Sequence, residues 1–231
     1  MKFFPLLAFA VLSALPLFAA DGLRITFSPE TYSKKAKLPE KWHLQGKLFT
    51  AKPDYEIVFD KALNTNVLRV TTDKASGAIL YDITGVLQKY PVMRWKWRVD
   101  ALPKGADGRN PDVDDQAISL YVGVGRISTN SVSYRWDTET PKQSRGNVAY
   151  GAGMVKVDWL TLRNKEDQVG VWHTDQVNAA EDLKRICGGS LPDHDVALSI
   201  CTNSQYTKSR VQADVAWIEF LPLEALKEKT E

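Results

Sequence analysis

The sequence predicts an all-β protein with one short helix, built as an antiparallel, jelly-roll-like β-sandwich. About ten short stretches alternate apolar and polar residues with a period of two, which is typical of strands that bury one face. Gly, Pro, Asn and Asp separate these stretches, as turns between antiparallel strands do. The chain has 231 residues, 44% of them hydrophobic, which is enough for one sandwich domain with a substantial core.

The charge balance excludes some classes of function. Lys and Arg number 30 and Asp and Glu 28, so the net charge is +2. No overall charge therefore favours nucleic acid or an anionic membrane as a partner. The hydrophobic and charged fractions are those of a globular domain and exclude long disordered or fibrous segments. The oligomeric state stays open.

The N-terminal segment has the pattern of an export signal. Lys2 precedes an uncharged apolar run from Phe3 to Phe18, and Ala19-Ala20 offer small residues for cleavage. The run is short for a bilayer span, and an uncleaved anchor is the alternative. We expect a signal peptide over residues 1–20 and a single β-sandwich domain over 21–231. The mature protein is then periplasmic or secreted and has no membrane span.

Ten segments are predicted as strands, and one capping box predicts the helix. In Asn178-Ala-Ala-Glu181, Asn178 is the expected N-cap and Glu181 its partner three residues on. Leu183 and Ile186 supply an apolar face, and Gly188-Gly189 end a helix of about ten residues. The predicted strands are Leu23–Phe27, Tyr55–Phe59, Val67–Thr72, Ala78–Ile83, Val92–Val99, Ile118–Val124, Val132–Trp136, Val155–Thr161, Val196–Thr202 and Val211–Phe220.

The strand from residue 92 to residue 99 has two distinct faces. Trp95 and Trp97 lie on one face and predict a buried pair, with a sugar-stacking platform as the alternative. Arg94, Lys96 and Arg98 lie on the other face. These cations are exposed to solvent, paired with acidic neighbours on adjacent strands, or in contact with an anionic ligand.

Four aspartates lie between residues 107 and 115, immediately before the next strand. They have three interpretations, which are turn capping with ion pairing, Ca²⁺ binding, and a catalytic carboxylate. Apart from Ca²⁺, no cofactor is expected. The metal candidates are Asp107, Asp112 and Asp114, and the catalytic candidates are Asp115 together with Asp137 or Glu139.

Arg135 lies on a strand between two aromatic residues. An arginine in this setting can bind a ligand carboxylate or stack on a sugar, or it can neutralise acids on a neighbouring strand. The second interpretation also explains the aspartates. We therefore expect Asp114 or Asp115 to meet Arg98 or Arg135 in a partly buried charge cluster.

The chain has two cysteines, Cys187 and Cys201. An isolated pair in an oxidising compartment usually forms a disulfide, which is the expectation here. Two buried free thiols are the alternative. Without further cysteines, a zinc site of the usual kind is not expected.

Several short motifs between residues 95 and 188 also occur together in a known family. They are Trp95-Lys-Trp97, Leu102-Pro103, Ala106-Asp107-Gly-Arg109, Asp114-Asp115, Tyr121-Val122, Tyr134-Arg-Trp136, Asn178, Glu181-Asp182-Leu-Lys-Arg185 and Gly188. With them the chain resembles, from about Tyr90 to Phe220, the bacterial exported family catalogued as domain of unknown function 3047 (DUF3047). The resemblance implies a β-rich, jelly-roll-like envelope domain and no established activity.

Two departures from that family concern the cysteines. Cys187 stands where the family usually has Phe, and Cys201-Thr-Asn203-Ser-Gln205 replaces a segment that is usually acidic. Within the resemblance, unusual cysteines at both of these positions favour a bond between them. The loss of the acidic residues weakens any metal or catalytic site in that loop.

Three functions remain open. The favoured one is a non-catalytic binding module for a glycan or for another polymer of the envelope, which could be anionic. A jelly-roll sheet offers a face for such a ligand. A glycan-cleaving hydrolase or lyase is the second function and needs two carboxylates about 5–10 Å apart in a cleft. The third is a structural or assembly protein of the envelope. The candidate ligand contacts are Arg94, Lys96, Arg98, Tyr121 and Arg135.

Overall fold

The structure, a computed structural model, describes residues 22–34, 37–45, 51–125, 128–150 and 152–227. The predicted signal peptide, residues 1–20, lies outside the described residues. The strands are β1 (Leu23–Thr26), β2 (Tyr32–Ser33), β3 (Leu38–Pro39), β4 (Trp42–Gln45), β5 (Asp54–Asp60), β6 (Thr65–Asp73), β7 (Ser76–Asp82), β8 (Val92–Ala101), β9 (Gln116–Val124), β10 (Thr129–Trp136), β11 (Arg145–Tyr150), β12 (Val155–Arg163), β13 (His173–Asn178), β14 (Val196–Asn203) and β15 (Arg210–Leu221). The helices are α1 (Val86–Lys89) and α2 (Ala179–Ile186), and 3₁₀ turns cover Pro29–Thr31, Pro111–Val113 and Leu223–Lys227.

Two large sheets pack face to face, which confirms the predicted all-β, jelly-roll-like sandwich. The six-stranded sheet has the order β13-β8-β15-β6-β5, and β1 pairs with the C-terminal half of β15. The seven-stranded sheet has the order β11-β12-β10-β9-β14-β7-β4. No helix among the described residues is long and apolar enough to cross a bilayer.

One strand pair departs from the predicted antiparallel arrangement. Strands β10 and β12 run parallel, with Ser131 opposite Val157 and Ser133 opposite Trp159. The reason is that β11 takes the edge of the sheet and pairs antiparallel with β12. Its hairpin partner β12 is therefore inserted next to β10 and runs in the same direction.

Five strands are missed by the sequence patterning: β2 and β3 form a separate two-stranded sheet, and β4, β11 and β13 are edge strands of the large sheets. Strand β13 ends the six-stranded sheet, and β11 and β4 end the seven-stranded sheet. Every residue of β13 is half-buried, and β11 alternates exposed with half-buried residues. An edge strand buries neither face completely, so it lacks the apolar alternation that identifies an inner strand.

Aromatic side chains from both sheets form the centre of the core. Trp95 and Trp97 are fully buried, which confirms the predicted buried pair, and their ring centroids are 5.3 Å apart. Trp95 lies 5.8 Å from Tyr134, and Trp97 lies 5.5 Å from Trp136. These contacts join β8 of one sheet to β10 of the other. The residues that alternate with these aromatic side chains on β8 and β10 therefore lie on the two opposite outer faces of the sandwich.

Helix α2 begins as predicted. The Asn178 side chain accepts a hydrogen bond from the Glu181 backbone N–H at 3.0 Å. Leu183 is fully buried in the core, and the Tyr134 hydroxyl donates to Asp182 Oδ2 at 3.0 Å. The helix therefore lies against β10 on its core side.

Candidate functional site

A groove crosses the outer face of the seven-stranded sheet, the face turned away from the core. Its volume is about 380 Å³, within the range of small-ligand sites, which usually measure about 300–1,000 Å³. Strands β7, β9, β10, β12 and β14 supply its floor. On β14, for example, the groove residues alternate with residues of the core.

Small side chains create the space in this groove. On β14, Leu198 and Ile200 are buried in the core, so Ala197, Ser199 and Cys201 face the groove. The neighbouring strands continue the small-residue floor with Gly123 on β9 and Ser131 on β10.

The described residues that line the groove carry no charge at neutral pH. Burial raises the pKa of Tyr121 and of Tyr150, so both phenols stay neutral. Burial also raises the pKa of the Cys201 thiol to about 11. The larger lining residues are the tyrosines Tyr121, Tyr150 and Tyr206, the amides Gln45, Gln116, Asn203 and Gln205, and the aliphatic residues Leu80, Val155 and Val157.

A buried charge cluster lies behind one end of the groove. Arg135 is 2% exposed, and its Nη2 donates to Asp114 Oδ1 and, at 2.9 Å, to Gln116 Oε1. Its guanidinium lies 5.5 Å from the centroid of the Trp159 ring. Of the predicted pairings of Asp114 or Asp115 with Arg98 or Arg135, the structure forms the one between Arg135 and Asp114.

Asp137 completes the cluster on the other side of Arg135. Its Oδ1 lies 3.6 Å from Arg135 Nε, and its Oδ2 accepts a hydrogen bond from Thr161 Oγ1 at 2.9 Å. Burial raises the pKa of Asp137 more than the neighbouring Arg135 lowers it. Arg135 therefore lies between two carboxylates, that of Asp114, to which it donates a hydrogen bond, and the more distant one of Asp137.

The cluster also holds three of the groove side chains in place. The Tyr150 hydroxyl donates to Asp114 Oδ2 at 3.0 Å. The Asn203 amide donates to the Asp114 backbone carbonyl at 3.1 Å, and Gln116 accepts from Arg135. The charges are thus turned away from the groove, while neutral groups attached to them face it.

Two glycines allow this close packing. A Cβ at Gly108 would lie 2.5 Å from Arg135 Nη1, and a Cβ at Gly146 would lie 2.2 Å from the Trp159 ring. Both distances are too short for a side chain. Gly108 therefore permits the buried guanidinium, and Gly146 lets the Trp159 ring lie flat across β11.

The three catalytic candidates do not meet in a cleft, which corrects the proposed carboxylate pair. Asp115 is fully buried and accepts from the backbone N–H groups of Tyr206 (3.2 Å) and Thr207 (2.7 Å). Asp137 belongs to the Arg135 cluster, and Glu139 pairs with Lys165 at the surface. Asp115 therefore fixes the 206–207 loop.

The candidate ligand residues lie on two opposite faces of the molecule. Tyr121 and Arg135 belong to the groove side. The basic residues of β8 lie on the outer face of the six-stranded sheet, because Trp95 and Trp97 of that strand fill the core. One ligand cannot contact both sets, so the predicted five-residue site does not form. The β8 residues are Arg94, Lys96 and Arg98.

Arg98 meets acids, but not the predicted ones. Its Nη1 lies 2.9 Å from Asp60 Oδ2 and its Nε lies 3.3 Å from Asp100 Oδ1. Its Nη2 pairs with Asp214. Asp214 is fully buried and also accepts from Arg69. Arg98 is therefore part of an ion-pair network on the outer face.

The three calcium candidates point in different directions. Asp107 pairs with Arg109, Asp112 is exposed, and Asp114 pairs with Arg135. The described residues hold no group of three or more side chains arranged to bind a metal ion. Calcium binding stays an untested prediction for this loop, without support from the placement of these carboxylates.

The Asp107–Arg109 pair predicts a specific acid sensitivity. Hydrogen bonds from Arg109 lower the pKa of Asp107 to about 2, which is below the pKa of this carboxyl in the unfolded chain. The pair therefore stabilises the fold above about pH 4, and this contribution is lost as the pH falls towards 2. Asp107→Asn should therefore lower the melting temperature at pH 7 and have less effect at pH 2.5, measured by thermal unfolding. Asp112→Asn is the control for loss of a carboxylate from this loop, and an effect of Asp107→Asn that is equal at both pH values would contradict the assignment.

The two cysteines are free thiols, so the predicted disulfide is wrong. Cys187 ends α2 and packs against the core, on the inner side of the seven-stranded sheet. Cys201 faces the groove on the outer side of that sheet. A disulfide spans only about 6 Å between Cα atoms and cannot pass through a sheet.

The groove itself was not predicted from the sequence. Its residues include Ser199, Cys201, Tyr150 and Tyr206, none of which belongs to a recognisable motif. A signal did exist on β14, where small uncharged residues alternate with Leu198 and Ile200. Tyr150 lies on an edge strand and Tyr206 in a loop, and neither carried such a signal.

Comparison with known proteins identifies a family by sequence. The model of the family described as "Protein of unknown function (DUF3047)" matches residues 40–219. No curated protein matches the sequence significantly.

Several solved structures are similar to this chain at low sequence identity. A thermostable cellulase derived from Cel12A of Rhodothermus marinus is 11% identical with a TM-score of 0.45, and the match covers 86% of this chain and 99% of that one. The xyloglucanase domain of NopAA from Sinorhizobium fredii is 10% identical (TM-score 0.45; 85% and 96% covered). The CBM22-1 xylan-binding domain of Paenibacillus barcinonensis Xyn10C is 14% identical (TM-score 0.39; 88% and 96% covered). Likeness at this level transfers no function to this chain.

Proposed function

The chain belongs to the family described as protein of unknown function (DUF3047), and we propose that it is an exported, non-catalytic binding protein whose groove holds an uncharged segment of a glycan. The proposal includes the periplasmic or secreted location expected from residues 1–20. The uncharged lining of the groove is the observation that carries it.

The lining suits a sugar chain because it combines apolar and neutral polar groups. The C–H faces of a sugar ring can pack on the rings of Tyr121 and Tyr206, which line the groove. The ligand hydroxyls can exchange hydrogen bonds with amides such as Gln116 and Asn203. A charged ligand would lose its hydration here without gaining an ion pair from any described lining residue, so this lining favours neutral ligands.

The same lining argues against the hydrolase alternative. Glycoside hydrolysis uses two carboxylates about 5–10 Å apart that flank the scissile bond. Among the described residues, no carboxylate lines the groove. Asp114 and Asp137, behind its end, are both engaged with Arg135. Binding without cleavage is therefore the function that the geometry supports best.

A purely structural role is the other alternative, and the groove argues against it. A face that only contacts other envelope proteins needs no recess, whereas this face has one of about 380 Å³ floored by small side chains. Small residues such as Ala197 and Ser199 maintain that recess on a strand where larger residues would fit the fold equally well.

Filling the groove should abolish binding and leave the fold intact. In Ser199→Trp the indole occupies the floor, so affinity for a bound neutral oligosaccharide should fall at least about tenfold, since shape complementarity is lost. The measurement is isothermal titration of cellohexaose and xylohexaose. Ser190→Trp places the same side chain at an exposed position and should bind normally. Unimpaired binding by Ser199→Trp, or shortening of the oligosaccharides by the wild-type protein, would contradict the proposal.

A further inference from the structure

The amide of Gln116 has a fixed orientation where the groove meets the buried charge cluster. Arg135 Nη2 donates to Gln116 Oε1 at 2.9 Å. A guanidinium carries donors only, so the amide oxygen of Gln116 has to face it and the amide nitrogen has to face away. Gln116 is 3% exposed and lines the groove. The group that it offers to a ligand is therefore the Nε2–H donor.

The hydrogen bonds that this donor makes within the protein are weak. Gln116 Nε2 lies 3.4 Å from Ser119 Oγ and 3.9 Å from Cys201 Sγ, whereas ordinary N–H···O bonds measure about 2.7–3.2 Å and a thiol is a weak acceptor. The neighbouring amide of Asn203 differs, because its Nδ2 donates to the Asp114 carbonyl at 3.1 Å and its Oδ1 accepts a backbone N–H at 3.2 Å. Of these two amides, Gln116 is the one whose donor gains more from a ligand acceptor.

A row of small side chains crosses the sheet beside this donor. Ser119, Cys201 and Ala78 lie opposite one another on β9, β14 and β7. Gln45 follows on the edge strand β4. Residues directly opposite one another have Cβ atoms about 4.5–5.5 Å apart. We refer to Cys201 and Ala78 as the floor recess, because both line the groove and neither side chain extends more than one heavy atom beyond Cβ.

Larger side chains border the floor recess in the next row. Two residues along the same three strands, Tyr121, Ser199 and Leu80 lie opposite one another, about 7 Å from the recess. Tyr121 and Leu80 are the large members of this row, and both line the groove. A sugar ring packed on Tyr121 can therefore direct one of its substituents into the recess.

The recess and the donor together select the chemistry of that substituent. A hydroxyl over Cys201 and Ala78 would lose water and gain only a weak bond to the thiol, which stays protonated because burial raises its pKa to about 11. A methyl group would pack there without that loss. The Gln116 Nε2–H needs an acceptor about 3 Å away. An acetyl group supplies both, since its methyl group and its carbonyl oxygen are attached to the same carbon atom.

The far end of the row favours an acetamido group over an acetyl ester. In a trans amide the N–H and the C=O point in opposite directions. With the carbonyl on Gln116, the N–H is directed across the floor recess towards β4, where Gln45 lines the groove. The amide oxygen of Gln45 can accept that hydrogen bond, and an ester has no N–H to donate.

We propose that the glycan segment held in the groove carries acetamido groups, as a polymer of N-acetylhexosamine units does, and that Gln116 and the floor recess bind one of these groups. The acetyl carbonyl accepts from Gln116 Nε2, and the acetyl methyl group packs on Cys201 and Ala78. Arg135 is a positioning residue, because it holds the Gln116 amide in its donating orientation. This inference rests on the proposed function, since it names the class of glycan that the groove takes.

The test compares two β-1,4-linked hexasaccharides, N-acetylchitohexaose and cellohexaose, by isothermal titration of the mature protein. They differ only in the acetamido or hydroxyl group at C2 of each unit. N-acetylchitohexaose should bind at least about tenfold more tightly, because it gains one hydrogen bond and buries one methyl group. The ratio of the two affinities is the quantity compared among variants.

Two variants remove the two parts of this site separately. Cys201→Val fills the floor recess with a branched side chain. Gln116→Glu, measured at pH 8, where the new carboxyl is ionised, replaces the Nε2–H donor by an oxygen and keeps an acceptor for Arg135. Each should reduce the ratio of affinities to about threefold or less, since the methyl site or the donor is lost. Circular dichroism verifies that both variants are folded.

Cys187→Val is the matched control. It makes the same replacement at the thiol on the core side of the sheet and should keep the wild-type ratio. If neither hexasaccharide binds, the proposed function fails together with this inference. If cellohexaose binds as tightly as N-acetylchitohexaose, or if Cys201→Val keeps the wild-type preference, the groove still binds neutral glycans but the acetamido assignment is overturned. Tighter binding of O-acetylated xylohexaose than of N-acetylchitohexaose would assign the recess to an acetyl ester and overturn it as well.

Discussion

Asp114→Ala is expected to lower the free energy of unfolding by about 3 kcal/mol, measured by urea denaturation followed by circular dichroism. The variant removes the carboxylate to which the buried Arg135 guanidinium donates. Asp137 compensates only in part, because its Oδ1 lies 3.6 Å from Arg135 Nε and accepts no hydrogen bond from it. The physical cause of the loss is that the buried Arg135 cation loses the carboxylate to which it is hydrogen-bonded.

Two further variants isolate that cause. Asp112→Ala removes an exposed carboxylate from the same loop and should change the stability by no more than about 0.5 kcal/mol. Arg135→Met combined with Asp114→Ala removes the unpaired charge, so the double variant should lose less than the sum of the two single variants. A loss below about 1 kcal/mol for Asp114→Ala alone would show that the pair does not hold this region.

The position of this pair links stability to the groove. Tyr150 and Gln116 line the groove and are held by Asp114 and Arg135 respectively. Substitutions in the cluster therefore disturb the groove as well as the fold and cannot separate the two. Ser199 contacts neither charged residue through a hydrogen bond among the described residues, so its substitution tests the groove by itself.

Strand periodicity predicted both the sandwich and the buried ion pair. On β8, alternation placed Trp95 and Trp97 in the core. On β9 and β10 it placed Arg135 on the outer face, next to the acids that precede β9, and the structure confirms both placements. The alternation of residues predicts the correct face on these strands because each is an inner strand with one fully buried face.

The alternation of residues separates the two faces of one strand, but it does not show to which sheet that strand belongs. The basic residues of β8 were therefore assigned to the same ligand site as Tyr121 and Arg135, although β8 belongs to one sheet and Tyr121 and Arg135 belong to the other. The disulfide prediction failed for a related reason. It used the compartment and the number of cysteines, whereas Leu198 and Ile200 already place Cys201 on the outer face. The groove was missed because Ala197 and Ser199 lack any chemically distinctive group.

The largest single loss of stability is expected for Trp97→Ala. Trp97 is fully buried between Trp95 and Trp136, at centroid distances of 5.3 and 5.5 Å, and its Nε1 donates to Asp175 Oδ2 at 2.7 Å. Truncation to alanine leaves a cavity at the junction of the two sheets, and buried Trp→Ala changes typically cost about 4 kcal/mol. Urea unfolding followed by far-ultraviolet circular dichroism measures the loss independently of tryptophan fluorescence.

Trp97→Phe separates the hydrogen bond from the packing. Phenylalanine keeps most of the ring volume but removes the Nε1–H donor, while Asp175 retains its two bonds from Arg163, at 2.6 and 3.0 Å. The expected loss is therefore only about 1.5 kcal/mol, the cost of one hydrogen bond to a charged acceptor. Trp217→Phe on the outer face is the matched control and should cost less than about 1 kcal/mol, since it loses little more than part of a cation–π contact. Equal losses for the phenylalanine variants at 97 and 217 would show that the Trp97–Asp175 bond does not stabilise the junction. A loss for Trp97→Phe as large as for Trp97→Ala would instead assign the stabilisation to that bond rather than to the aromatic core.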